Sequence, residues 1–216
     1  MIPDEPIKLT IVRHAETYGM TKGVRLNNED PLSNNGLDQA KKLAKKLLKS
    51  KFHYVYTSPT LRAQQTLNII KKYCYCNKIY EDTDLVERKE ATSLIGVKTE
   101  DMPWDEIKKH RLKRHWKYQD SESFHEIFNR ALKLLNKFEK HKPGSHILIM
   151  SHGSFIRALF AVILMEENLT PRQYFKMTEK LFIESTGVSK LEFSKKYYEE
   201  SPTWKIITWM DISHLE

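Results

Sequence analysis

The sequence predicts an α/β fold: a three-layer α-β-α sandwich around a mostly parallel central sheet. Three observations lead there. Short apolar, β-rich runs alternate with amphipathic helical patterns along the 216 residues. The first, second and third major runs each stop at a cluster of polar residues, and helix-capping residues stand where the helical patterns begin. Strand-helix alternation of this kind is the signature of a largely parallel sheet with helices on its faces.

Taken in order, residues 7–12 form an apolar run that stops at Arg13-His14, as a buried strand does. Ser33 caps a helix carrying Leu37, Ala40, Leu43 and Leu47 on one face, with lysines opposite. Residues 52–57 alternate and are rich in β-formers, a second strand. Ser58-Pro59 supplies an N-cap and a first-turn proline for a helix bearing Leu61, Leu67 and Ile70. Residues 88–119 break the pattern: charged, with no strong period, and with one short helix over about 103–118. They are expected to form a small helical insertion over one end of the sheet, above the site described below. Ser121 or Ser123 then caps a helix running to about Lys140, ended by Pro143-Gly144. Residues 146–150 are a third apolar run, followed at once by Ser151-His152-Gly153 and a helix over 154–165; residues 188–193 and 204–209 complete the strands. No repeat or linker divides the chain, so a single domain over 1–216 is expected.

Composition narrows the function classes. No apolar run approaches the roughly 18 residues of a membrane span; the longest, 155–165, is interrupted by Arg157. The first six residues lack the basic and apolar regions of a signal peptide, so a cytoplasmic protein with no membrane partner is expected. Lys and Arg total 36 against 28 Asp and Glu, a net charge of +8, but 27 of the 36 are lysines. Lysines spread over helix faces, as at Lys41, Lys42, Lys45, Lys46 and Lys49, form a solvated coat. With no zinc finger or RNA-recognition signature beside them, no nucleic-acid partner is expected. The cluster His110, Arg111, Arg114 and His115 reads as a solvated helix face, the alternative being a substrate-facing basic patch on the insertion. Cys74 and Cys76, the only cysteines, read as reduced thiols near the end of a helix. His53, His125, His141, His146 and His214 show no metal-ligand spacing, and no metal is expected.

The chemistry-bearing residues sit at the strand ends. Arg13-His14, residues 58–62 and Ser151-His152-Gly153 follow the three major runs. Ligands in open α/β sheets bind outside the carboxyl ends of the strands, so the clusters converge on one edge. They bring two histidines and two arginines beside two helix N-termini, the ingredients of a phosphate site.

These residues resemble a family. Thr10-Ile-Val-Arg-His-Ala-Glu-Thr17 resembles the Arg-His-Gly-Glu-Thr motif of the histidine phosphatase superfamily, the phosphoglycerate mutase-like proteins. Ser58-Pro-Thr-Leu-Arg-Ala-Gln-Gln-Thr66 is similar to its second arginine motif, Asp84-Leu-Val-Glu-Arg88 to its acid-bearing segment, and Ser151-His-Gly153 to its second histidine. Asp30-Pro-Leu-Ser33 with Gly36, Ser121-Glu-Ser-Phe124 and Ser185-Thr-Gly-Val188 resemble weaker landmarks, and the resemblance runs from about residue 7 to 193 in family order.

The resemblance implies a metal-independent phosphomonoester hydrolase acting through a phosphohistidine on a small phosphorylated metabolite. His14 would be the nucleophile, neutral at the attacking nitrogen. Arg13 and Arg62 would grip the phosphoryl oxygens, with Gly153 and Ser154 as further substrate contacts. His152 would add a donor as an imidazolium, and Glu87 (with Glu81 and Glu90 nearby) would protonate the leaving oxygen and then activate water. No cofactor is implied, save 2,3-bisphosphoglycerate priming if the chain is a phosphoglycerate mutase. The other alternative is a non-catalytic binder of phosphorylated ligands, and a homodimer is left open. Ala15 stands where the family has Gly, Met20 where many members carry Asn, and Ser154 where the mutases have Asn. The segment 25–30 is shorter than the mutase loop, and the spacing around Lys98 and Arg88 departs from mutase substrate contacts. These departures favour a phosphatase over a mutase.

Overall fold

A computed structural model describes residues 5–195 and 201–216. Six strands form one sheet in the order β3-β2-β4-β1-β5-β6. They are β1 (Ile7–Arg13), β2 (Lys51–Thr57), β3 (Tyr75–Glu81), β4 (His146–Ser151), β5 (Val188–Ser194) and β6 (Thr203–Asp211). The first four run parallel; β5 and β6 pair antiparallel at one side. The sheet is mostly parallel, as expected from sequence, with a two-stranded antiparallel flank.

The strand pleat sorts β1 and β4 into two cores. Ile7, Leu9, Ile11, Ile147 and Ile149 pack under α5 (Phe124–Phe138) and α6 (Gly153–Met165). Val12, Leu148 and Met150 face the opposite way, under α2 (Asn34–Lys46) and α3 (Leu61–Ile70). Burial on both faces is why these strands read as unbroken apolar runs rather than alternating ones. The remaining helices are α1 (Tyr18–Thr21), α4 (Trp104–His110) and α7 (Pro171–Thr178). Among the described residues no helix is long and apolar enough to cross a membrane.

Capping chemistry explains most boundaries. Ser33 Oγ accepts from Gly36 N at 2.9 Å, and the helix it starts lies so close to the loop after β1 that a Cβ on Gly36 would sit 2.0 Å from the Glu16 carbonyl. Ser123, rather than Ser121, caps α5 in a reciprocal box with Glu126. Three expectations are corrected. The helix expected at Ser58-Pro59 begins at Leu61 with Thr60 in the cap position, because the Ser58 hydroxyl is engaged elsewhere. The helix expected over 103–118 ends at His110, and the chain then turns. Its basic cluster is not simply solvated: Arg111 stacks on Phe175 and pairs with Glu179, while Arg114 stacks on Phe124 and Phe128 and donates to His125.

Candidate active site

The carboxyl ends of β1, β2 and β4 open into a cleft of about 730 Å³. Arg13, His14, Arg62, Glu87, Gly153 and Ser154 all line it. His152 lies just beneath, its ring centroid 5.0 Å from that of His14. The topology thus brings together every residue singled out from the sequence.

His14 is 2% exposed, and its Nδ1 lies 2.7 Å from the Ala15 carbonyl. A carbonyl oxygen only accepts, so Nδ1 carries the proton and a neutral ring keeps its lone pair on Nε2. Burial, then the charges of Arg62 and Arg13, hold the ring well below its ordinary pKa. A buried, neutral imidazole of fixed tautomer is what a nitrogen nucleophile requires.

Both arginines spend only part of their donor forks on the protein. Arg62, 2% exposed at the start of α3, donates Nη1 to the Asn27 carbonyl at 2.6 Å. Arg13 donates to the Ile183 carbonyl at 3.4 Å and to Met20 Sδ at 3.8 Å. Neither Nε has a partner among the described residues. Burial lowers both guanidinium pKa values, opposed first by Glu87, yet arginine keeps its charge in proteins. A Cβ on Gly153 would press on Ile183 Cγ2 at 3.2 Å and would meet Arg13 Nε only at an ordinary contact of 3.4 Å. Ala15, where the family has Gly, packs its methyl in a small cluster with Leu32 and Ala40.

His152 departs from expectation. Burial, with His14, Arg62 and Arg13 around it, pushes its pKa well down, so the ring is neutral rather than an imidazolium. Its Nε2 lies 2.8 Å from Ser58 Oγ, and its Nδ1 is buried without a partner among the described residues.

Glu87 is held at the N-terminus of α6, a helix whose own cap residue makes no side-chain bond. Its Oε1 accepts from Phe155 N at 3.0 Å and Arg88 N at 2.8 Å, and its Oε2 from Ser154 N at 3.1 Å. The carboxylate therefore satisfies two orphan N–H groups of the helix that His152 begins. The Ser154 amide is consequently committed to Glu87.

Sequence reasoning missed Arg130, on α5. It donates Nη1 to the carbonyls of Asp84 and Val86 at 2.9 and 2.7 Å and reaches the Glu87 carbonyl at 3.4 Å. Its remaining donors form a forked pair with Glu122, the two side chains 12% and 10% exposed. Glu122 lies within the Ser121–Phe124 landmark, which was the available signal; its partner one helix turn or more away carried none.

At the mouth of the cleft two stretches of chain are tied to one another by their backbones. Val24 bridges to Lys98, Arg25 N donates to Val97 O, Gly96 N to Arg25 O, and Thr99 N to Gly23 O, each of these three at 2.9 Å. Arg25, Arg88, Lys89, Glu90 and Arg157 line this side. Lys98 instead pairs with Glu100 at the surface. Among the described residues no three His, Cys, Asp or Glu side chains converge as metal ligands.

Known proteins resemble this chain over nearly its whole length. A metal-independent phosphoserine phosphatase of Arabidopsis thaliana is 27% identical over 99% of this chain and 85% of its own length. A probable phosphoglycerate mutase of an Enterobacter species is 26% identical over 97% of this chain and 95% of its own. The crystal structure of an Entamoeba histolytica phosphoserine phosphatase mutant with phosphoserine superposes with a TM-score of 0.78 at 20% identity, covering 97% of this chain and all of that one. The model of the histidine phosphatase superfamily (branch 1) matches residues 9–201, and the chain belongs to that family.

Proposed function

We propose that the chain is a metal-independent phosphomonoester hydrolase working through a phosphohistidine on His14. The observation that carries this is the bond from His14 Nδ1–H to the Ala15 carbonyl, which leaves the Nε2 lone pair beside two arginines with unspent donors. Arg13 and Arg62 would bind the equatorial phosphoryl oxygens, supplying positive charge where the transition state spreads its own. With the Ser58 hydroxyl donating to Nε2, a neutral His152 would present Nδ1–H to a further oxygen. Glu87 Oε2, which takes a single backbone bond, would give a proton to the leaving oxygen and recover one from the water that cleaves the phosphohistidine. Gly153, which lines the cleft, would be a further substrate contact. The cationic outer wall suits a small metabolite whose leaving part is itself anionic.

The test is hydrolysis of an aryl phosphate in the presence of chelator, followed by acid quench and mapping of the labelled residue with a phosphorylated substrate. Activity that survives chelation with phosphate on His14 is expected. Loss on chelation restored by a divalent ion, or label on any other residue, overturns the proposal. Conversion of 3-phosphoglycerate outpacing hydrolysis once 2,3-bisphosphoglycerate is added would make the chain a mutase instead.

A further inference from the structure

The chain's two cysteines lie far from the phosphate cleft. Cys74 follows the C-terminal turn of α3, and Cys76 is the second residue of β3, paired in register with Phe52 at the start of β2. They therefore occupy the amino-end edge of the parallel strands, opposite the carboxyl-end edge that carries His14. A regular strand keeps side chains at i and i+2 apart on one face, yet the two sulfurs here are 3.6 Å from each other. The bend before β3 brings them together: Tyr75 N donates to Ser50 O at 3.0 Å, fixing the strand's start, while the Cys74 thiol reaches back to the Ile70 carbonyl at 3.5 Å.

The two thiols are unequal. Cys74 is buried, and Cys76 is half-buried on an edge strand, where a reagent can approach it. The Cys74 S–H shared with Cys76, and the nearby Lys71 ammonium, favour the Cys76 thiolate. The same contact and burial push the Cys74 thiol up. An accessible thiolate beside a protonated, buried thiol is the arrangement of an attacking and a resolving cysteine.

We propose that Cys74 and Cys76 form a redox-active dithiol that exchanges with low-molecular-weight disulfides. In the first step the Cys76 thiolate attacks one sulfur of the incoming disulfide, forming a mixed disulfide and expelling one thiolate. In the second, Cys74 loses its proton to solvent and attacks Cys76 Sγ, closing the Cys74–Cys76 bond and expelling the second thiolate. The protein gives up two electrons and the incoming disulfide takes them up. The sulfurs must approach by about 1.5 Å to reach bonding distance. The closed loop is too short to restrict the unfolded chain much, so the bond is a reversible couple rather than a structural staple.

The experiment equilibrates the full chain in buffers of oxidised and reduced glutathione, quenches with acid, alkylates the free thiols and reads intact mass. Loss of two hydrogens at oxidising ratios, reversed by excess reduced glutathione, is expected. Cys74→Ser should stop at one glutathione on Cys76, and Cys76→Ser should take up none. Should either variant fail to fold, peptide mapping of the unaltered chain after brief alkylation replaces it, with Cys76 reacting about tenfold or more faster than Cys74. Two free thiols at every ratio, a disulfide between chains, or equal reactivity of the two cysteines overturns the proposal.

Discussion

Replacing Arg130 with Met tests whether α5 positions the acid of the cleft. The substitution keeps much of the side-chain volume over Phe155, on which the guanidinium stacks at 4.2 Å, but deletes every donor. The Asp84 and Val86 carbonyls lose bonds of 2.9 and 2.7 Å, and the Glu122 carboxylate, 10% exposed, loses its forked partner while keeping one backbone N–H from Lys89. Stranding a buried charge in this way costs about 3–5 kcal/mol. Urea denaturation should show a loss of that size, and adding Glu122→Gln to Arg130→Met should recover part of it, with a coupling of about 1–3 kcal/mol across the cycle. The catalytic effect should be selective. Loosening residues 84–87 displaces Glu87, and an error of about 1 Å can cost 100-fold in rate, felt where the leaving group needs a proton. Alkyl phosphate hydrolysis should therefore fall much further than aryl phosphate hydrolysis. A destabilisation below about 1 kcal/mol, or equal losses on the two substrates, would refute the positioning role.

Three further outcomes are expected. Glu87→Gln should spare aryl phosphates and slow alkyl phosphates by about 10²–10⁴, with stopped assays on paired substrates as the check. His152→Ala should slow turnover by about 10²–10³ while acid-quench labelling still finds phosphate on His14; His14→Ala should abolish the label, and labelling in His14→Ala would place the nucleophile elsewhere. Stability should fall on acidification. His14 and His152 are held neutral in the fold, whereas the unfolded chain takes up protons as the pH drops below about 6.5, so each ring removes about 1.4 kcal/mol per pH unit until it titrates in the fold. His146 and His214, each lowered to about 4 chiefly by burial, act in the same direction. Urea midpoints that stay flat between about pH 7 and 5 would contradict this account.

The parts of the molecule that were legible in the sequence are those where burial dictates residue type. β1 and β4 announce themselves because both faces are covered, and the strand-end clusters follow from where those runs stop. β3 was missed because, at the edge of the sheet, its residues Tyr75, Asn77, Lys78, Ile79, Tyr80 and Glu81 are exposed and need no apolar alternation. α7 was missed although Thr170, Pro171 and Gln173 spell a capping signal, since only Tyr174 in it is buried. Within the site, side-chain identity pointed to His14, Arg13, Arg62 and His152, but contacts did the rest. The neutrality of His152 depends first on its complete burial and then on neighbours distant in sequence. The seat of Glu87 on α6 and the hold of Arg130 on the Glu87 segment are long-range as well.

The mutual hydrogen bonding of residues 23–25 with 96–99 has an evolutionary consequence. Because each loop satisfies the other's backbone groups, an insertion or deletion that displaces one alone strands N–H and C=O partners in its mate, whereas a side-chain substitution leaves these bonds in place. The lengths of the two stretches are thus inherited together, while the side chains they present to the cleft, Val24 and Arg25, can be exchanged one at a time.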